Sequence, residues 1–471
     1  MRNRGLRAFL FFVVAFFLFL GYLDSCSSNR PPTKPSNPNP SDGATGVPIT
    51  PTLSWSCSDP DGDPLVYDIY FGNNPDKLLL VEKDHPTTSY QPPTTLQFDT
   101  MYFWKVVAKD DRGDVTEGDL WGFRTLGLSV LHEFPLESDT TAGPIFSSPA
   151  VGPDEKVYMG FNGGYLVLSP TKTEFVKTKT FVQSSPIVDR ASNKAFFVDD
   201  EGQLLVYPDK ASYRISNRPF YAAPVIFKDH VYVVDSDGQI FMVEKSTPSK
   251  FQKIASLGEG VVASPAVVDD KLFVATVEGN VYAVELSTGT VRWRKNFPGE
   301  RFFGGFAVDP KKNLYIAGSA LWCISPLDGR VLWSYRLKSQ AFGSPVISKD
   351  GVAYVGDVSG TVYAVGPGGK PLWSRTYLSP IFSSCLLGDN GLVYVVGGTH
   401  LLALQPDGGE LVSFVELKSF VESSPVLTSG LIFLADEMGH FYVVQALSET
   451  IQDPESSWPM FQKDWYHSAA R

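Results

Sequence analysis

A signature of two small residues, a proline and an apolar residue returns eight times between residues 147 and 426. It reads Ser147-Ser148-Pro149-Ala150, Ser184-Ser185-Pro186-Ile187, Ala222-Ala223-Pro224-Val225 and Ala263-Ser264-Pro265-Ala266. It continues, with substitutions, as Gly304-Gly305-Phe306-Ala307, Gly343-Ser344-Pro345-Val346, Ser383-Ser384-Cys385-Leu386 and Ser423-Ser424-Pro425-Val426. The third positions lie 37, 38, 41, 41, 39, 40 and 40 residues apart. A fixed period of this length means one supersecondary unit that buries its apolar face only by stacking on its neighbours. Each period holds the same order of apolar runs. The signature opens a first strand, Lys271–Ala275 exemplifies the second, Val281–Val284 the third and Thr290–Trp293 the fourth, with a glycine turn at Val277–Asn280. Aromatics at 13%, with 41 Gly and 35 Pro, favour strands and turns over helices.

Tryptophan recurs at Trp293, Trp333 and Trp373, each four residues after a glycine, Gly289, Gly329 and Gly369. The pattern resembles the Ala-x-Asp-x-x-x-Gly-x-x-x-Trp docking motif of pyrroloquinoline-quinone-type repeats. Ala283, Glu285, Gly289 and Trp293 fit it with Glu for Asp, Cys323 takes the alanine place in the next unit, and Ser413 replaces a later tryptophan. The resemblance implies an all-β fold over residues 128–471, an eight-bladed β-propeller in which the three indoles dock blade on blade. No Trp-Asp dipeptide marks WD40 repeats, and kelch repeats are longer. The eighth unit stops after three strands, near Val444, while an unassigned strand at 128–134 precedes the first signature. That strand is expected to complete the eighth unit and cover its open edge. The tail Trp458-Pro459-Met460-Phe461 resembles a segment attached to such repeats and is read as a packing strap.

Residues 36–126 carry shorter alternating runs at intervals of about ten residues, a sandwich pattern. The segment resembles a fibronectin type III module. Trp55 is then the core tryptophan, and Leu96, Thr100 and Tyr102 have the spacing of a tyrosine corner. In Asp59-Pro60-Asp61-Gly62-Asp63-Pro64, three carboxylates at alternate positions could share a calcium ion; the plainer reading is a tight acidic turn, and no glutamate stands at EF-hand distance.

Arg2, Arg4 and Arg7 precede an unbroken apolar run from Ala8 to Leu20, the layout of a secretory signal over 1–25. Leu23-Asp24-Ser25-Cys26 resembles a bacterial lipobox, with Asp24 a departure, which implies acylation of Cys26. An uncleaved signal anchor and simple secretion are the alternatives. Residues 26–35 are polar and Pro-rich, an extended linker. The localisation expected is the cell envelope, exported and membrane-anchored, on the periplasmic or extracellular face.

The net charge of −11 disfavours phosphate backbones, so nucleic acid is not expected as a partner. The six histidines are scattered, and no Gly-x-Ser-x-Gly elbow or Walker loop occurs. Gly258-Glu259-Gly260-Val261-Val262-Ala263 fits a dinucleotide fingerprint formally but leads into a strand. Cys26, Cys57, Cys323 and Cys385 include no adjacent pair of the kind quinoprotein dehydrogenases carry. No catalysis, cofactor or metal is therefore expected. The residues three before each signature begins its third position, Phe146, Tyr221, Phe303, Phe342, Phe382 and Glu422 with Gln183 and Val262, share one end of the ring. With turn acids such as Asp199, Asp235, Asp357 and Asp436 they form either a ligand rim with an acidic fringe or aromatics tucked between blades. The function expected is non-catalytic envelope binding or scaffolding of a protein, peptide or glycan. The alternatives are a role like the propeller of outer-membrane β-barrel assembly and an exported quinone-dependent dehydrogenase.

Changing Cys26→Ala should abolish labelling by a palmitate analogue and release the protein to the soluble fraction. Labelling that persists in the variant would reject acylation at this residue.

Overall fold

The computed structural model describes residues 29–135, 145–169, 172–377, 379–447 and 460–464. Cys26, the signal segment, Trp458 and Pro459 lie outside them. The chain divides into two compact units, Met1–Leu126 and Gly127–Arg471. Apart from one 3-10 turn at Pro367–Gly369, every regular element described is a strand. No helix among the described residues is long and apolar enough to cross a membrane.

In the first unit a three-stranded sheet (Ser36–Asn39, Leu53–Ser56, Ser89–Tyr90) and a six-stranded sheet built around Met101–Asp110 enclose one core. Alternation explains the arrangement: Tyr102, Trp104, Val106 and Ala108 point inward along one strand while their neighbours face out. Trp55 meets Trp104 at 6.2 Å and Tyr67 edge-on at 5.2 Å. The Tyr102 hydroxyl accepts the Gln97 amide at 3.1 Å, tying the chain back on itself where the tyrosine-corner spacing falls.

The second unit contains eight antiparallel sheets among its described residues, seven of four strands and one of three. Seven of them follow the order read from the period; Val225–Phe227, His230–Val234, Gln239–Glu244 and Phe251–Ser256 are one example. The first sheet departs from it. Its second and third strands run together as Val157–Ser169, bent at Gly163 and Gly164, both at positive φ. The strand before the first signature, Ser129–Pro135, pairs antiparallel with His440–Gln445, from Ser129 opposite Gln445 to Pro135 opposite His440. It is the outermost strand of that sheet, joined on one side alone.

The signature residues do more than open strands. The Ser148 amide donates to Ser185 Oγ (2.8 Å), Ala223 to Ser264 (3.3 Å), Gly305 to Ser344 (2.7 Å), Ser344 to Ser384 (2.9 Å) and Ser384 to Ser424 (3.0 Å). The Ser424 amide then donates to Ser148 Oγ (2.9 Å), 276 residues back, so the series returns to its start. The two junctions without this bond are those where the acceptor position holds Ala223 or Gly305, which have no hydroxyl. Small residues are required because the backbones nearly touch here: a Cβ at Gly343 would lie 2.3 Å from the Ser383 carbonyl oxygen.

Ser148→Ala leaves the buried Ser424 amide without an acceptor at the closing junction. It should cost about 1–3 kcal/mol in urea unfolding. A loss below a few tenths would mean that this bond contributes nothing to closure.

Candidate functional site

The first-strand loops converge on one cavity of about 350 Å³. Phe146, Tyr221, Phe303, Phe342, Phe382 and Glu422 line it, together with Gln183 and Val262, so the equivalent position of all eight repeats meets there. The aromatics are not tucked between sheets. Phe146 and Tyr221 are each 41% exposed. Phe303 stacks on Phe342 with centroids 4.6 Å apart, and Phe342 meets Phe382 edge-on at 5.4 Å. The Arg301 guanidinium lies 5.8 Å from the centre of the Phe303 ring. Phe303, Phe342 and Phe382 form a contiguous apolar wall on one side of the cavity, and the exposed rings of Phe146 and Tyr221 add further apolar surface suited to flat or aliphatic groups.

Glu422 is the one charged side chain in the lining. Burial, then a hydrogen bond shared with Glu437 and that residue's like charge, push its carboxyl up to about 7. Sequence reading did not foresee that partnership: Glu422 lies in the loop before Val426–Thr428, and Glu437 in the turn between Leu431–Ala435 and His440–Gln445. It also assigned the tail to packing alone. Met460 is buried, but Phe461 lines the cavity, and Asp464 reaches Arg190 at 3.5 Å.

The expected acidic fringe divides by burial. Asp199, Asp235, Asp357 and Asp436 are fully buried and bind their own turns, whereas Asp200, Asp237 and Glu437 are half-buried and Glu201 and Glu278 exposed. One oxygen of Asp436 accepts the Met438 and His440 amides, both at 2.9 Å, and the other accepts the Tyr442 hydroxyl at 2.7 Å. Asp199 and Asp235 do the same with the amides at Glu201 and Gln203, and at Asp237 and Gln239. A short acceptor two residues before a turn amide is the ordinary Asx geometry, which a fringe reading overlooks. In two repeats that lack this aspartate, a glutamate reaches in from the preceding loop. Glu259 accepts Thr276 Oγ1 (2.8 Å), Asn280 Nδ2 (2.8 Å) and Tyr282 Oη (2.6 Å), and Glu300 accepts both the amide and the hydroxyl of Ser319. The carboxylate changes side of the junction while its task stays the same.

The indoles sit at the opposite, fourth-strand side of the sheets. Trp293 Nε1 donates to the Pro326 carbonyl (3.1 Å) and Trp373 Nε1 to that of Pro406 (2.6 Å), each in the following repeat. Each ring covers a glycine turn: a Cβ at Gly329 would lie 2.8 Å from Trp293, at Gly369 3.0 Å from Trp333, and at Gly409 2.7 Å from Trp373. Ser413, in the tryptophan position of the seventh repeat, accepts the Leu128 amide at 3.1 Å. The missing indole leaves room for the incoming N-terminal strand.

Solved structures share this fold. The chain resembles BamB from Moraxella catarrhalis at 16% identity and a TM-score of 0.54, covering 68% of this chain and 99% of that one. It resembles the C-terminal WD40 domain of Sif2 at 13% identity and 0.53, covering 65% and 97%, and the computationally designed Ika8 protein at 16% and 0.54, covering 66% and 98%. The fold is that of a β-propeller. Within it, residues 245–303, 277–365 and 358–458 match the family model described as outer membrane protein assembly factor BamB. No curated protein matches the chain significantly.

Because Glu422 keeps its proton to higher pH when folded than when unfolded, the folded state binds the extra proton between pH about 4.5 and about 7. Stability therefore falls as pH rises through that window. Glu422→Gln should match the parent near the lower limit and exceed it near the upper one, read by urea unfolding at both ends. Parallel pH curves for the two proteins would refute the raised carboxyl.

Proposed function

We propose that this protein is a lipid-anchored envelope scaffold. Its eight sheets are the blades of one β-propeller, preceded in sequence by a fibronectin type III-like sandwich, and it binds another envelope protein without catalysis. A functional counterpart is the outer membrane protein assembly factor BamB, whose family model matches residues within 245–458. The observation that carries the reading is the cavity itself: all eight repeats contribute one residue, and accessible aromatics predominate among them. Apolar rings with one central acid suit a protein loop that presents apolar groups around a polar or basic side chain. Cys323 and Cys385 are buried thiols that desolvation pushes up to about 12, which suits packing rather than thiolate chemistry.

Photo-crosslinking phenylalanine analogues at Tyr221 and Phe303 should give one adduct of common mass in intact envelopes. The equally exposed outer residue Phe251 should give none. Equal labelling at Phe251 would reject the rim as the binding face. Normal levels of outer-membrane β-barrels after depletion of the protein would reject the assembly role.

A further inference from the structure

Where the last sheet meets the first, a cleft of about 700 Å³ opens beside the outermost strand Ser129–Pro135. His132, Phe433 and Val443 line it from the last sheet, and Val157 and Leu168 from the first. Val157, Phe433 and Val443 are buried, whereas His132 is exposed. The cleft shares no lining residue with the axial cavity.

Strand register shows what the cleft lacks. Phe273 stands opposite Ala283, and Ala283 opposite Trp293. Tyr315, Cys323 and Trp333 repeat that row, and so do Tyr354, Ala364 and Trp373. In each row the first ring meets the indole, with centroids 5.8, 5.4 and 6.1 Å apart. In the last sheet the row reads Phe433, Val443 and His132. The first ring is kept, and an imidazole stands where the indole would be. The row Tyr394, Ala403 and Ser413 also lacks an indole, but there Ser413 receives the Leu128 amide. In the row Tyr232, Met242 and Gln252, two long side chains leave a hollow of only about 210 Å³.

We propose that this cleft binds a flat aromatic molecule of indole size, in the place that Trp293, Trp333 and Trp373 hold in their own rows. Phe433 presents the ring that meets an indole in those rows, and aromatic pairs favour such edge-to-face or offset contact. An apolar cavity deprived of its ring takes one up from solution, as engineered cavities take up benzene. A buried apolar floor with a few polar groups at the rim is the common form of a small-molecule site. The rim selects a ring that carries a hydrogen-bond donor. Trp293 and Trp373 give their Nε1 proton to a carbonyl of the following repeat. At the cleft, Glu155 offers the acceptor: it lies in the turn between Ala150–Val151 and Val157–Ser169 and lines the rim as an exposed residue. Glu133 is engaged elsewhere, because it holds Lys418 at 2.6 Å.

The test is titration of the full chain with 5-fluoroindole, read by fluorine NMR. Saturable binding with a dissociation constant of about 10⁻³ M or tighter is expected of a ligand this small. His132→Trp supplies the missing ring and should weaken binding by about tenfold or more. Val443→Met fills the floor as Met242 does in its own row and should act in the same direction; it decides if near-ultraviolet dichroism shows His132→Trp misfolded. Leu79→Ser, at an exposed residue of the first unit, should leave the affinity unchanged. Partition into lipid is common to all variants and cancels in the comparison. Absence of saturable binding up to about 10⁻² M would overturn the site. Unchanged affinity in either filled variant, once folded, would overturn it too, because the ring would then bind elsewhere, such as the axial cavity. Binding of benzothiophene, which has no N–H, as strong as that of 5-fluoroindole would overturn the selection for a donor.

Discussion

Buried backbone amides at the inner ends of the sheets need acceptors, and at six of the eight junctions the next repeat's serine provides one. Six such bonds run from Ser148 through Ser424 and back to Ser148. An unpaired buried amide would cost more than the bond itself contributes, so each serine fixes both the spacing and the order of its neighbours. The same contact explains why only Ser, Ala and Gly stand at the second signature position. At Ala223 and Gly305 the chain keeps the close approach and forgoes the bond.

From that inner contact the rest of the second unit is arranged outward. Sheets held this close at one end splay at the other, and the gap is filled by the indoles of Trp293, Trp333 and Trp373 over glycine turns. Between the two, in six of the repeats, lies a carboxylate that locks the turn, carried by the turn itself in four and by the neighbouring loop at Glu259 and Glu300. The cavity is a by-product of this geometry. Eight loops must end near one axis, and the residues just before the signature have nowhere to point but at one another.

Much of the candidate site was legible because the repeat places equivalent residues in equivalent positions. Phe146, Tyr221, Phe303, Phe342, Phe382 and Glu422 could be gathered by counting back from each signature, with no knowledge of the turns between. The acids failed the same method. Asp199, Asp235, Asp357 and Asp436 are just as periodic, yet they point into their own turns, and an Asx turn and an exposed acidic loop look alike in a sequence. Phe461 could not be placed by counting, because it belongs to a segment outside the period; Glu437 could be placed among the turn acids, but not its bond to Glu422.

The period, the strand order and the unpaired strand at each end were written in the residues, because alternation and turn chemistry are local properties. They were enough to expect that Ser129–Pro135 would join His440–Gln445. Only the tertiary structure decided what the signature serines bond to, why Ser413 stands where an indole would block the entering strand, and which carboxylates are buried. Each of these depends on donors and acceptors far apart in the chain, and a hydrogen bond withheld from water is settled by what lies within about three ångströms in space rather than by what lies next in sequence.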